Sequence, residues 1–342
     1  RDLHTAYRRQ RQMCIRDRHK AVRERVALID QTSFSKFCIS GIGALDLLQY
    51  LAVSNIDKPI GKIIYTQFLN SRGGIEADLT ISRTGEEEFY IVTGSAFGVH
   101  DRSWIEKHSP RDGSVVIDDL TEEFGVINLC GPHARDVLQN VTDDDISNET
   151  LPFSSYTDIS VAGHPVRAMR IGYVGELGWE MHMGRENMPA VYKALAEAGS
   201  KYDIADVGYR AIDSLRMEKG YLYWSLDISP DYNPFEAGLG FRVNMKKGDF
   251  IGRDALISIK KNGGPEKKIA YFTLEKYMPV YGSEPIMREG RILDVTTSAN
   301  FGYTIGKPLV FGYLPVQEFE NRNFSVEAFG EVIPTTRHDG PL

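Results

Sequence analysis

Residues 63–81 read IIYTQFLNSRGGIEADLTI, two apolar-rich runs divided by a cluster of turn formers. Residues 63–69 and 75–81 have strand character, and Asn70-Ser71-Arg72-Gly73-Gly74 between them supplies the positive backbone angles that close a hairpin. The second run alternates cleanly. Ile75, Ala77, Leu79 and Ile81 share one face, Glu76, Asp78, Thr80 and Ser82 the other. Asp78 is thus on the polar side, where a solvated carboxylate is the ordinary occupant.

Upstream of this hairpin, Val22, Val26 and Ile29 recur at helical spacing and predict a first helix over 19–29. Residues 36–40 alternate like a strand, and Gly41 opens a helical run through Ala44, Leu45, Leu48 and Ala52. Gly41-Ile42-Gly43 lacks the third glycine of a dinucleotide fingerprint and reads as a tight strand-to-helix turn. Downstream, strands are expected at 88–93, 124–129 and 179–183, a helix from near His133, and a hairpin over 161–171 turning at Gly163. Asn187 is expected to cap a helix ending at Gly199, and Asp206 one ending at Gly220. Beyond Phe250 the chain turns β-rich at 267–274, 292–297 and 324–329, after an Asn-Gly-Gly-Pro break at 262–265. A separate small β domain therefore starts near residue 265.

The chain has 342 residues, 42% hydrophobic and 25% charged, which excludes wholesale disorder and allows two or three domains. Its net charge of -7 excludes the molecule as a whole as a nucleic-acid binder, so an anionic ligand must meet a local basic cluster such as Arg242, Lys246 and Lys247. Cys14, Cys38 and Cys130 are far apart and free of C-x-x-C spacing, which fits neither a disulfide framework nor a metal site and points to a reducing compartment. No apolar run approaches the ~18 residues of a membrane span. The opening stretch RDLHTAYRRQRQMCIRDR holds six arginines without apolar periodicity, so residues 1–18 are expected to be a non-native or disordered leader. With its stop just after a strand-rich region, the chain reads as a fragment.

Gly172 to Glu180, GYVGELGWE, combines three glycines, two aromatics and two carboxylates. Glycines admit a flat ligand close to the backbone, Tyr173 and Trp179 offer stacking faces, and Glu176 offers a partner for an amidine-like N–H edge. An ordinary strand-turn-strand uses the same residue types. Arg210, Asp213 and Arg216, three residues apart, read as an ion-pair ladder on a helix surface. Nothing resembles a Ser-His-Asp triad, an H-E-x-x-H metal motif or a phosphate loop.

GKIIY at 61–65, GGIEADL at 73–79, GYVGELGWE at 172–180, DSLRMEKG at 213–220 and NPFEAGLGFRVNMKKGDFIGRDAL at 233–256 follow one another in a known order. From about residue 19 the chain resembles the aminomethyltransferase (glycine-cleavage T-protein) superfamily. It is most similar to the folate-binding C-terminal half of dimethylglycine and sarcosine dehydrogenases, through GELGWE, SLRMEKGY, SEPIMREGRI and TTSANFGYTIGKPLVFGY. The resemblance implies an α+β, three-lobed fold: two α/β lobes within 19–260, residues 34–119 forming the inserted lobe, and a C-terminal β-barrel over 265–338, around a central tetrahydrofolate cavity. In it, Asp78 matches the essential carboxylate beside the folate nitrogens, while the family's preceding Asp is Ala77 here. Tyr65 matches a cavity tyrosine and Glu176 a glutamate that pairs with the pterin. Tyr173, Trp179, Arg210 and Glu236 complete the expected folate contacts, although Ile212 stands where the family has its arginine and Arg210 is two positions away.

The activity implied is one-carbon transfer. A flavin-linked enzyme oxidises an N-methyl amine, and tetrahydrofolate traps the iminium or formaldehyde unit as 5,10-methylenetetrahydrofolate. FAD is expected only in an upstream domain, in cis or as a subunit, since no complete G-x-G-x-x-G occurs here. The expected partners are an N-methyl amine or iminium donor and that flavin-binding domain, with neither nucleic acid nor membrane. The setting is cytoplasmic for a bacterial protein and the mitochondrial matrix for a eukaryotic one. The alternative is a non-catalytic folate-binding regulatory or scaffold protein of the same fold. The scaffold branch carries a K-G-C-Y-x-G-Q motif, whereas Lys247-Gly248 is followed here by Asp249. Asp78 separates a catalyst from a regulator, which has no need of it.

Overall fold

The structure, a computed structural model, describes residues 2–342, with side chains from Met13 onward. The chain begins with α1 (Asp2–Glu24), β1 (Ala27–Asp30), β2 (Ser35–Ser40), α2 (Ala44–Leu51), β3 (Ile63–Leu69), β4 (Ile75–Arg83), β5 (Glu88–Thr93), α3 (Gly98–His108) and β6 (Val116–Asp119). It continues through β7 (Phe124–Cys130), α4 (Ala134–Gln139), β8 (Tyr156–Val161), β9 (His164–Met169), β10 (Gly178–Gly184), α5 (Met188–Gly199), β11 (Ala205–Asp206), α6 (Tyr209–Glu218) and α7 (Arg253–Lys261). Six strands close it: β12 (Lys267–Leu274), β13 (Pro285–Arg288), β14 (Arg291–Gly302), β15 (Lys307–Pro315), β16 (Asn323–Ala328) and β17 (Glu331–His338).

Two compact units result, the first from Arg1–Gln49, Ile56–Tyr65 and Leu79–Ile212, the second from Tyr50–Asn55, Thr66–Asp78 and Asp213–Leu342. The first holds a six-stranded sheet ordered β11-β1-β7-β10-β9-β8, antiparallel throughout except for β1 beside β11. Alternation along β7 and β10 divides its two faces. Ile127, Leu129, Trp179, Met181 and Met183 enter an apolar core with Val137 and Leu138 of α4 and Val191 and Leu195 of α5. Asn128, Glu180 and His182 are buried on the opposite face. A five-stranded sheet, β3-β4-β5-β2-β6, takes all its strands from the segment between Ser35 and Asp119.

In the second unit, β12 to β17 close a six-stranded barrel ordered β12-β15-β14-β13-β16-β17. Phe272, Leu274, Ile286, Val310, Leu314, Phe324 and Val326 fill it. The turn between β3 and β4 also belongs to this unit. Asn70 Oδ1 accepts the backbone N–H groups of Arg72 and Gly74, and Gly73 takes φ +88°. At Gly74 the backbone lies so close to the Pro230 carbonyl that a Cβ would sit 1.9 Å from its oxygen, which only glycine allows.

Several local expectations are corrected. The helix predicted over 19–29 ends at Glu24, and Ala27–Asp30 is a strand between two others. Periodicity cannot separate a short, fully buried apolar strand from a helix. Residues 2–18, expected to lie outside folded structure, are part of α1, built largely of good helix formers such as Arg, Gln, Leu and Met. The side chains of residues 1–12 lie outside the described ones. Asn187 makes no side-chain cap and instead meets His164 Nδ1 at 3.0 Å, while Asp206 lies in β11 rather than capping α6. The hairpin around Gly163 is longer than expected, because its first strand starts at Tyr156. All three cysteines are free thiols.

Candidate functional site

In the second unit, Asp78 is half-buried on β4, where the burial pattern alternates as the sequence demands from Ile75 to Ile81. It is no solvated carboxylate. Gln67, fully buried on β3, donates its Nε2 to Asp78 Oδ1 at 2.8 Å. The amide oxygen of Gln67 has no hydrogen-bond partner. Glu76, two residues before Asp78 on the same face, accepts from Asn70 Nδ2 at 3.1 Å, so the turn residue that closes the hairpin also holds the neighbouring carboxylate.

Glu236 sits in this unit in a reciprocal cap. Its Oε2 accepts the Asn233 N–H at 2.9 Å, and Asn233 Oδ1 accepts the N–H groups of Phe235 and Glu236. Burial pushes the Glu236 carboxyl above the usual range. This geometry fixes the Asn233-Pro234-Phe235-Glu236 turn around the expected ligand contact Glu236. In the basic cluster, the Lys247 ammonium lies 5.3 Å from the Phe250 ring centroid, and burial lowers its pKa to about 8. Lys246 is exposed.

In the first unit, residues 172–177 form the loop into β10, turned at Gly175 with φ +73°. Arg23, near the end of α1, donates one guanidinium nitrogen to Glu176 Oε1 at 2.9 Å and to the Val174 carbonyl at 2.5 Å. The arginine therefore fixes both the backbone of the loop and the carboxylate it presents. Tyr173 is half-buried, as is Tyr65 on β3. Trp179 is a correction: at 0% exposure it is a core residue, packed in the apolar cluster with the Arg135 guanidinium 5.3 Å from its ring, and offers no face for stacking. Arg210 is exposed in the first turn of α6.

The same unit buries a polar layer. Tyr90 Oη and His182 Nδ1 are 3.0 Å apart, Glu180 Oε2 lies 3.9 Å from His182 Nε2, and burial lowers the imidazole pKa. The Asn128 side chain, 1% exposed, has an unpartnered Oδ1.

The expected surface ladder on α6 is overturned. Arg216 is 1% exposed and donates to Asp213, Asp227 and Ser298 and to the Tyr221 carbonyl. Asp227, also buried, accepts in addition from Thr297 Oγ1 and the Tyr223 N–H. These groups saturate one another and form a structural node. Sequence reasoning missed Arg23 and Gln67. Only Gln67 left a signal, its place two residues from Tyr65 on the same side of β3.

Comparison with known proteins agrees with this architecture. The GCVT N-terminal domain model matches residues 3–247, and the glycine cleavage T-protein C-terminal barrel domain model matches 267–342. Human mitochondrial sarcosine dehydrogenase is 38% identical over 309 residues, 86% of this chain and 34% of that protein. Mouse mitochondrial dimethylglycine dehydrogenase is 37% identical over 327 residues, 95% of this chain and 38% of that protein. The chain thus spans about a third of the length of these relatives. The crystal structure of the glycine cleavage system aminomethyltransferase T from Bartonella henselae superposes with a TM-score of 0.86 at 26% identity, covering 96% of this chain and 89% of that one. On the domain matches and on the fold, the chain belongs to the glycine cleavage T-protein family.

Proposed function

We propose that this chain is the tetrahydrofolate-dependent one-carbon transfer module of a flavin-linked N-methyl amine dehydrogenase or oxidase of the dimethylglycine and sarcosine type. The observation that carries the proposal is the half-buried Asp78 carboxylate with the Gln67 amide donated to it at 2.8 Å. A reduced folate fits Asp78, because its ring N–H groups are donors and the carboxylate, only half-buried, is an acceptor within reach of a ligand. When bound, tetrahydrofolate supplies the nitrogens that take up the one-carbon unit as 5,10-methylenetetrahydrofolate. The protein's part is electrostatic and acid-base. Asp78 accepts the proton released as the new carbon–nitrogen bond forms, and its charge stabilises a cationic iminium donor. Partial burial makes that single charge count for more than it would in water.

Within the first unit, Tyr65, Tyr173, Arg210 and Glu176 are proposed as ligand contacts, with Arg23 setting the Glu176 carboxylate. The oxidation of the N-methyl amine at FAD is assigned to a flavin-binding domain, in cis or as a subunit. The test is titration calorimetry of the chain with tetrahydrofolate. The expected result is stoichiometric binding and a rise in thermal midpoint by mass action. No heat and no thermal shift at millimolar ligand would end the reading, and binding without any turnover would favour a regulatory folate binder.

A further inference from the structure

At one edge of the six-stranded sheet of the first unit, β1 and β11 run parallel, with Leu28 opposite Asp206 and the Val207 N–H donated to the Leu28 carbonyl at 2.8 Å. Beside them, against the first turn of α5, lies a cavity of about 540 Å3, inside the roughly 300–1,000 Å3 usual for small-molecule sites. Its floor is apolar: Leu28, Ile127 and Val207 line it and are 2–5% exposed. Its mouth is not. Asp30, Asp206, Gly208 and Tyr192 line it from exposed positions, and no Lys, Arg or His joins them. The Tyr192 hydroxyl lies 3.0 Å from each Asp206 oxygen and donates to that carboxylate, which holds it against the aromatic wall. Asp30 Oδ1 accepts the Thr32 N–H at 2.9 Å. Among the described residues neither carboxylate has an ion-pair partner.

We infer that this cavity binds a protonated alkylamine, its hydrocarbon chain on the floor and its ammonium group at the mouth with Asp206, Asp30 and the Tyr192 ring. The floor rewards burial of a hydrocarbon body. Two carboxylates without counter-ions and an aromatic face reward a positive end that carries N–H donors. With no cation in the lining, a carboxylate on the ligand has nothing to meet. The charged mouth alone would serve an inorganic cation as well, and it is the buried floor that calls for a hydrocarbon chain. The cavity shares no residue with the proposed folate contacts, so the inference stands or falls apart from them.

The test is calorimetry of the whole chain at low salt with butylamine, pentylamine, hexylamine and uncharged hexanol. The Kd of the amines should fall about 3- to 4-fold with each added methylene, and hexanol should bind about tenfold more weakly than hexylamine. Asp206→Asn should weaken hexylamine about 5-fold and leave hexanol unchanged. Gly208→Val tests the place: a Cβ at this mouth position meets no atom within 4 Å, so the fold tolerates it, and the added side chain should weaken hexylamine. Affinity that does not grow with chain length, equal affinity for hexylamine and hexanol, or an unchanged Kd in either variant overturns the proposal. A second measurement needs no variant to fold. Met188 lines the cavity, and the 13C signal of its methyl group in the parent chain should shift as hexylamine saturates the site. A signal unmoved at saturation overturns the proposal as well.

Discussion

Arg23 and Glu176, 153 residues apart in sequence, meet at 2.9 Å, and the same guanidinium nitrogen holds the Val174 carbonyl at 2.5 Å. A helix that precedes the first strand thus anchors the loop that carries the proposed pterin partner. With side chains only 9% and 21% exposed, the pair is shielded from most solvent screening. Arg23→Gln should cost about 2 kcal/mol in urea unfolding, the typical price of stranding a partly buried partner. It should also weaken tetrahydrofolate binding. Tetrahydrofolate affinity equal to that of the parent would mean that the carboxylate needs no anchor.

Trp179 and Tyr173 should separate core from ligand contact. Trp179→Ala should lower stability by about 3 to 5 kcal/mol, as expected for truncating a fully buried indole. Tyr173→Ala, at a half-buried loop position, should change stability little and raise the Kd for tetrahydrofolate. Denaturant unfolding and calorimetry on both variants check this, and the reverse pattern would restore Trp179 as a stacking residue.

How much was legible in the sequence follows from what each signal encodes. The β3–β4 hairpin was readable because period-two alternation and an Asn-to-Gly turn are local, and Asp78 fell on the polar face for the same reason. Whether that face was wet or buried is set by distant chain, so a solvated carboxylate and a half-buried one look alike. Arg216 shows the same limit: three-residue spacing says which residues share a helix side, and the burial of that side comes from Asp227 and Ser298, far along the chain. Trp179 looked like a stacking residue among glycines, while the register of β10 against β7 turns it into the core.

Lys36 should leave a pH signature in stability. Its ammonium is buried, donating to the Thr32 and Phe124 carbonyls at 2.8 Å each. Burial first, and the Arg185 charge second, lower its pKa from 10.5 to about 8. Between about pH 8 and 10.5 the unfolded chain then holds a proton that the folded chain has released, so stability rises with pH through this window. Lys36→Met should lack that rise. The check is the difference between the two urea-unfolding free energies from pH 7 to 10.5, and a difference that stays flat would contradict the depressed value.

Asp227 should matter for the fold alone. Asp227→Ala leaves Arg216 charged and buried without its one fully buried carboxylate partner, Asp213 being partly exposed, and breaking such a buried pair typically costs about 3 to 5 kcal/mol. Denaturant unfolding should show that loss. A change below about 1 kcal/mol would mean that Asp213 and the Tyr221 carbonyl suffice for the guanidinium.

The most direct test is Asp78→Asn, assayed for 5,10-methylenetetrahydrofolate formation from formaldehyde at saturating tetrahydrofolate. The substitution keeps the shape of the side chain and an oxygen for the Gln67 amide, while it removes the charge and the proton-accepting capacity. Folate binding should stay within a few-fold of the parent, and the rate should fall by about 10²- to 10⁴-fold. Rates within about a factor of two of each other would contradict it, since even the low end of acid-base catalysis exceeds that difference.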